Sequence, residues 1–284
     1  MRTFLPSYDE VPKMLRYVLL FIFFGHSISQ AEPLSLRQTC LNSLGQFKSY
    51  FKEEALDQVC GQVQQTEGCA SVEGTPIFHL DHKSKLAKPK KILVISLIHG
   101  NERPAGGLGR FWLERLMKID SRNSWRVIPI TNPDGLKKNT RANGKGVDLN
   151  RNFPTKDWDS DALSFWESRA NKAPQKFPGH SAGEEPEVKC VMKHLEDYQP
   201  DFVISIHTPL NVLDFDGPKV TPPKYSYLPW KSLGNFPGSL GRYLWVERKT
   251  PVLTTELKDN LPTSSLPFEQ LQDVIGTLVK TDLK

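Results

Sequence analysis

The chain has 284 residues, 38% of them hydrophobic, which is enough for a full apolar core in one large domain or two small ones. Its 37 basic and 32 acidic residues leave a formal charge of +5 and a pI near 8.9, a balance that favours mild attraction to anionic surfaces. The basic residues are spread rather than blocked, which argues against a nucleic-acid partner.

Residues 13–31 read as a secretory signal. Lys13 and Arg16 supply the positive start and Tyr17-Val-Leu-Leu-Phe-Ile-Phe-Phe24 the apolar stretch. Ser29-Gln-Ala31 places small residues where a signal peptidase cuts. The apolar stretch falls short of the roughly 20 residues a permanent membrane helix needs. Cleavage after Ala31 is therefore expected, leaving an exported chain, periplasmic or secreted, with no stable membrane anchor. An uncleaved anchor is the competing reading, and Met14 is an alternative start. In an oxidising compartment the cysteines Cys40, Cys60, Cys69 and Cys190 are available for bridging. Four cysteines allow three full pairings, which sequence does not choose between. A local bridge among the first three suits their closeness. Cys190 lies in phase with Val188, Val191 and Leu195 and reads equally as a small buried hydrophobe.

Residues 33–56 have a helical pattern through Leu41, Leu44, Phe47, Tyr50 and Phe51. Residues 71–80 turn strand-like, and His79 and His82 read as surface residues of a polar turn. A basic connector, 83–91, leads to Ile92-Leu-Val-Ile-Ser-Leu-Ile98, a strand buried on both faces. It ends in His99-Gly-Asn-Glu102. A helix over 105–117 comes next, with Pro104 in its first turn, and then a strand over 125–130, which makes a βαβ unit. Asn132-Pro-Asp-Gly135 is a turn signal, with glycine expected to supply a positive φ. The polar stretch 137–154 concentrates Arg141, Asp148, Asn150 and Arg151, a density more typical of functional loops. Beyond a surface excursion, 155–179, come a helix over 183–198 and a second buried strand, 201–206, which ends in His207. Residues 208–238 read as a long covering loop and 240–246 as a short helix. A last strand, 250–253, runs into Thr254-Thr-Glu256, and the chain closes on a helix over 267–279.

Three apolar strands thus end in His99 and Glu102, in His207, and in Glu256. Parallel strands deliver the residues just past their carboxyl ends into the crevice where α/β sheets keep ligands. Two imidazoles and one carboxylate form a three-ligand catalytic zinc set that leaves a fourth position for water. In that set the zinc lowers the pKa of the water, and Glu256 is the candidate general base.

The segments His99-Gly-Asn-Glu102, Asn132-Pro-Asp-Gly135, Arg141, Val147-Asp-Leu-Asn-Arg-Asn-Phe153, Ser205-Ile-His207 and Thr255-Glu256 resemble, in order, the signature of the M14 zinc carboxypeptidases. The resemblance covers about residues 90–260. It implies that His99, Glu102 and His207 hold one zinc ion and that Asp148 orients the first ligand histidine. It implies that Asn150 and Arg151 grip the substrate's terminal carboxylate, that Arg141 stabilises the oxyanion, and that Glu256 is the catalytic glutamate. Within the family, the loop 141–154 and Phe236-Pro-Gly-Ser-Leu-Gly241 are similar to those of bacterial murein peptide amidases, which cut between γ-D-glutamate and meso-diaminopimelate. Residues 234–241 hold no tyrosine where digestive carboxypeptidases carry a mobile capping one, and this favours the murein-type pocket.

The expected architecture is a three-layer α/β/α domain with a mixed, mostly parallel sheet of about eight strands. Residues 32–284 would form one catalytic domain, with 32–90 as an N-terminal extension. The expected activity is hydrolysis of a C-terminal amide bond of a murein peptide. A general metallocarboxypeptidase acting on protein or peptide C-termini is the first alternative. A catalytically silent wall-binding module is the second, and the complete set of His99, Glu102, His207, Arg141 and Glu256 argues against it.

Overall fold

The computed structural model describes residues 34–280; the signal reading of 13–31 lies outside them. Two helices, α1 (Leu36–Leu44) and α2 (Glu53–Cys60), precede the strands β1 (Gln64–Ala70), β2 (Pro76–His82) and β3 (Lys91–Ser96). Next come α3 (Arg103–Leu116), β4 (Ser124–Ile128), α4 (Pro133–Lys138), α5 (Leu163–Ser168) and α6 (Pro186–Tyr198). The chain ends with β5 (Phe202–His207), β6 (Val212–Asp216), α7 (Leu240–Arg242), β7 (Val252–Glu256) and α8 (Leu266–Lys280).

The described strands form one seven-stranded sheet in the order β1-β2-β4-β3-β5-β7-β6. Its middle, β4-β3-β5-β7, is parallel. The flanks, β1-β2-β4 on one side and β6 on the other, pair antiparallel. The apolar runs explain why the middle strands sit inside. Along β3, Ile92 and Val94 join the cluster with Phe111 and Trp112 of α3 and Phe268 of α8. Leu93 and Ile95 join Val188, Val191 and Leu195 of α6 on the other face. A strand with apolar residues at both parities can only be covered on both sides.

Several elements differ from the sequence reading. The helical stretch 33–56 divides into α1 and α2 around Gly45, whose N–H bonds Leu41 O and closes the first helix. Arg110 of α3 is buried and donates to the carbonyls of Leu44 and Phe47 at 3.0 and 2.7 Å, which fastens the end of α1 to the domain. β1 is a mostly exposed, polar edge strand, so it lacks the apolar alternation that marks strands. The long loop 208–238 contains β6, whose residues pair with β7 from Val212↔Glu256 to Asp216↔Val252.

Asn132-Pro-Asp-Gly135 opens a short helix rather than a free turn. The Asn132 side chain accepts from Gly135 N at 2.8 Å, a helix cap. Gly135 is needed for space rather than for φ, since a Cβ there would meet Asn132 and the Ala142 carbonyl. His79 is buried in β2, 3% exposed, against His194 of α6 with ring centroids 4.7 Å apart. Cys190 is bridged to Cys69, and Cys40 to Cys60. The first bridge ties α6 to the edge strand β1 and the second ties α1 to α2.

Candidate active site

The neighbouring parallel strands β3, β5 and β7 all point their carboxyl ends at one place. In the β5–β7 register His207 lies opposite Glu256. Past the end of β3 the chain makes a tight turn in which Glu102 N bonds His99 O at 3.2 Å. Gly100 allows that turn to press against α4. A Cβ on it would lie 2.0 Å from the Gly135 carbonyl carbon. Asn132 completes the clamp, its amide nitrogen reaching the carbonyls of Ile98 and Arg141 at 3.3 and 3.2 Å.

His99, Glu102 and His207 are buried and meet there. Their ligand atoms all lie within 4.8 Å of one another. His99 Nδ1 is 2.7 Å from Glu102 Oε1, and His207 Nδ1 is 3.1 Å from Glu102 Oε2. The two Nδ1 atoms are 3.2 Å apart. Each outer ring nitrogen is already engaged: His99 Nε2 with Asp148 Oδ1 at 3.1 Å, and His207 Nε2 with Ser205 Oγ at 2.9 Å. An imidazole that donates from Nε2 presents a bare lone pair at Nδ1. Two such lone pairs and a carboxylate facing one point make a ligand set for a cation. Nitrogen and oxygen donors of this kind suit zinc, so the residues present fit that ion.

The surroundings hold the charges apart. Burial pulls the His99 imidazole down, but Glu102 and Asp148 outweigh it and leave it above its ordinary value. Burial would raise the Glu102 carboxyl; His99 and His207 instead hold it far below the carboxylate range. Burial would also raise the Asp148 carboxyl, but Arg141 and His99 outweigh it and hold that group well below the carboxylate range. Arg141 Nε donates to Asp148 Oδ2 at 3.0 Å and Nη1 to Glu102 Oε1 at 3.4 Å.

A cavity of about 350 Å³ opens over this cluster and is lined by Arg141, Asn150, Arg151 and Glu256 as well. All eight residues singled out in the sequence therefore lie in or against one site, Asp148 as the buried support behind His99. Asn150 Oδ1 accepts from Leu240 N at 2.8 Å. Arg151 Nη1 donates to Asn150 O at 2.6 Å, and its guanidinium stacks 4.9 Å from the Phe236 ring centroid. Glu256 Oε2 accepts from Leu210 N at 3.3 Å.

Three residues around the site went unassigned in the sequence. Ser205 lies two positions before His207 on the same strand face, a spacing that period-two alternation makes visible in retrospect. Asp214 and Asp216 line the cavity from β6, whose pattern was hidden in a loop-like stretch.

With the fold and this constellation in view, the chain belongs to the zinc carboxypeptidase family, which matches it over residues 55–225. Among its relatives, murein peptide amidase A of Vibrio campbellii (strain ATCC BAA-1116) is 30% identical over 228 residues, 75% of this chain and 86% of that one. Murein peptide amidase A of Escherichia coli (strain K12) is 37% identical over 90 residues, 31% of this chain, and the match spans only 37% of the relative's length. The crystal structure of murein-tripeptide amidase from Escherichia coli O157 shares the fold, with a TM-score of 0.53, 21% identity, and coverage of 84% of this chain and 95% of that one.

Proposed function

We propose that this protein is a zinc-dependent hydrolase that removes the C-terminal residue of a murein peptide by cutting the amide bond between γ-D-glutamate and meso-diaminopimelate. The observation that carries the reading is the content of one cavity: His99, Glu102 and His207 line it together with Arg141, Asn150, Arg151 and Glu256. His99 Nδ1, His207 Nδ1 and Glu102 would hold a single zinc ion. When bound, such an ion polarises a carbonyl and lowers the pKa of water towards neutrality.

The protein's own groups supply the rest. Glu256 takes a proton from the attacking water and passes it to the leaving amine as the C–N bond breaks. Arg141, braced by Asp148, offers its remaining N–H groups to the oxyanion. Arg151 and Asn150 bind the terminal carboxylate, for which the planar guanidinium is suited. Asp148 and Ser205 keep the two imidazoles turned with Nδ1 inward.

Asp214 and Asp216 favour diaminopimelate over an ordinary protein C-terminus. Burial raises both carboxyls. They accept from Leu233 N and Asn235 Nδ2 at 3.1 and 3.0 Å, with no cation in either bond. Their carboxylates share the cavity with Arg141 and Arg151, which suits a substrate residue whose side chain carries an ammonium group as well as a carboxylate. Diaminopimelate has such a side chain.

Export by the 13–31 signal, with cleavage after Ala31, belongs to the same proposal, since murein lies outside the cytoplasm; residues 32–284 are then one catalytic domain. Among the described residues no helix is long and apolar enough to cross a membrane. The test is a digest of L-Ala-γ-D-Glu-meso-diaminopimelate by the zinc-loaded protein, read by mass spectrometry beside a peptide of L-amino acids. Free diaminopimelate is the expected product. Cleavage of the ordinary peptide alone would replace this reading with the general carboxypeptidase, and cleavage of neither would overturn both.

A further inference from the structure

We propose that the pole of the molecule opposite the active-site cavity docks on an anionic lipid surface. The connector 83–91 contains Lys83, Lys85, Lys88, Lys90 and Lys91, all exposed, and no acidic residue. The fold adds to this cluster. Ser84 N donates to Ser124 Oγ at 3.1 Å, and Ser84 Oγ to the Arg122 carbonyl at 2.9 Å. Those bonds hold the connector against the turn before β4, which carries the exposed Lys118 and Arg122. Arg248 and Lys249, also exposed, precede β7 and so lie at the same amino-terminal ends of the parallel strands.

Acidic residues at this pole offset only part of that charge. Asp120 pairs with Lys85 at 2.8 Å and Asp201 with Lys90 at 3.8 Å. Both are exposed pairs, which hold their partners weakly. Asp197 is engaged by Lys193 at 3.0 Å, and Glu196 stands beside it at the end of α6. In the middle of the lysines sits Leu86, 56% exposed. An exposed leucine adds nothing to binding a hydrated polyanion, but it can enter the interfacial layer of a bilayer. Clustered lysines supply the long-range attraction and an apolar tip the anchor.

The placement has a geometric consequence. Lys91 opens β3 and His99 lies past its other end, the strand itself spanning roughly 17 Å from Lys91 to Ser96 at the rise of an extended chain. A molecule held by the lysine pole turns its cavity away from the bilayer, towards peptides in the space beyond. This inference does not depend on which peptide the cavity takes.

The test is co-sedimentation of the full chain with vesicles of phosphatidylcholine alone or with a third of phosphatidylglycerol. Binding is expected only to the anionic vesicles, and it should weaken as salt rises. Neutralising a lysine near the surface lowers partitioning about fivefold, so Lys83→Gln with Lys88→Gln should lower it about 25-fold. Leu86→Ser should weaken it further. Cleavage of a small soluble peptide should be unchanged in these variants, which shows that they are folded. Equal binding to both vesicle types, or anionic binding that the double variant leaves intact, would overturn the proposal. Capture by a soluble polyanionic polymer with no vesicle binding would also overturn it, assigning the pole to a polymer instead.

Discussion

The outer nitrogen of each site histidine decides what the inner one can do. Asp148 and Ser205 occupy the Nε2 positions of His99 and His207, so both Nδ1 atoms are free to accept a cation. Glu256 lies in the same cavity but outside that triad. Glu256→Gln should therefore keep zinc, measured by metal analysis after dialysis, while turnover falls by about 10²–10⁴-fold. Near-normal turnover would remove Glu256 as the base.

A second pair of histidines behaves differently. Burial pulls His79 down to about 4 and His194 down to about 3, and Arg126, 3.3 Å from His194 Nδ1, pushes both the same way. The folded state thus favours the neutral rings, whereas unfolded histidine titrates near 6.5. Their contribution to stability is complete above that value and is lost as pH falls towards 4. The urea midpoint should drop between pH 7.5 and pH 5, and His194→Gln should remove part of that drop. A variant as pH-sensitive as the parent would contradict the burial argument.

At the scale of elements, the site depends on how closely the turn after β3 approaches α4. Gly100 is the point of contact, and there backbone meets backbone, so no side chain can swing aside. Gly100→Ala should cost at least about 1–3 kcal/mol, the usual range for overpacking a tight contact. It should also weaken zinc binding, because His99 precedes the displaced residue. Calorimetric melting and a zinc competition assay would measure the two effects; a variant unchanged in both would show that the turn can relax. The short helix α4 owes its start to the Asn132 cap, and the same asparagine ties that helix to both neighbouring loops. One residue thus sets a secondary-structure boundary and also positions the stretch that carries Arg141.

Across the whole molecule, the two disulfides constrain the unfolded chain to different degrees. Cys69–Cys190 spans 121 residues and Cys40–Cys60 spans 20. Chain entropy assigns about 5 kcal/mol to the longer loop and about 3 kcal/mol to the shorter. Cys69→Ala with Cys190→Ala should lower the urea midpoint more than Cys40→Ala with Cys60→Ala, and the reverse order would show that local packing dominates. Which cysteines meet is closed to sequence reading, because Cys69 of β1 and Cys190 of α6 are 121 residues apart and are brought together only by the tertiary fold. The edge strands β1 and β6 were hidden for a related reason, since an edge strand has no need of the doubly apolar run that identifies β3 and β5. His79 looks like a turn residue in the sequence because Arg126 and His194, which pack against it, come from β4 and α6, far along the chain. The α/β class, the parallel middle of the sheet and the groups at its carboxyl ends were all legible in the chain, because strand burial and side-chain periodicity are local properties. That His99, Glu102 and His207 share one point, with Ser205 and Asp148 on the outer ring nitrogens and Asp214 and Asp216 lining the same cavity, was decided only by tertiary packing. Side chains more than 100 residues apart come within hydrogen-bonding distance only when their strands become neighbours.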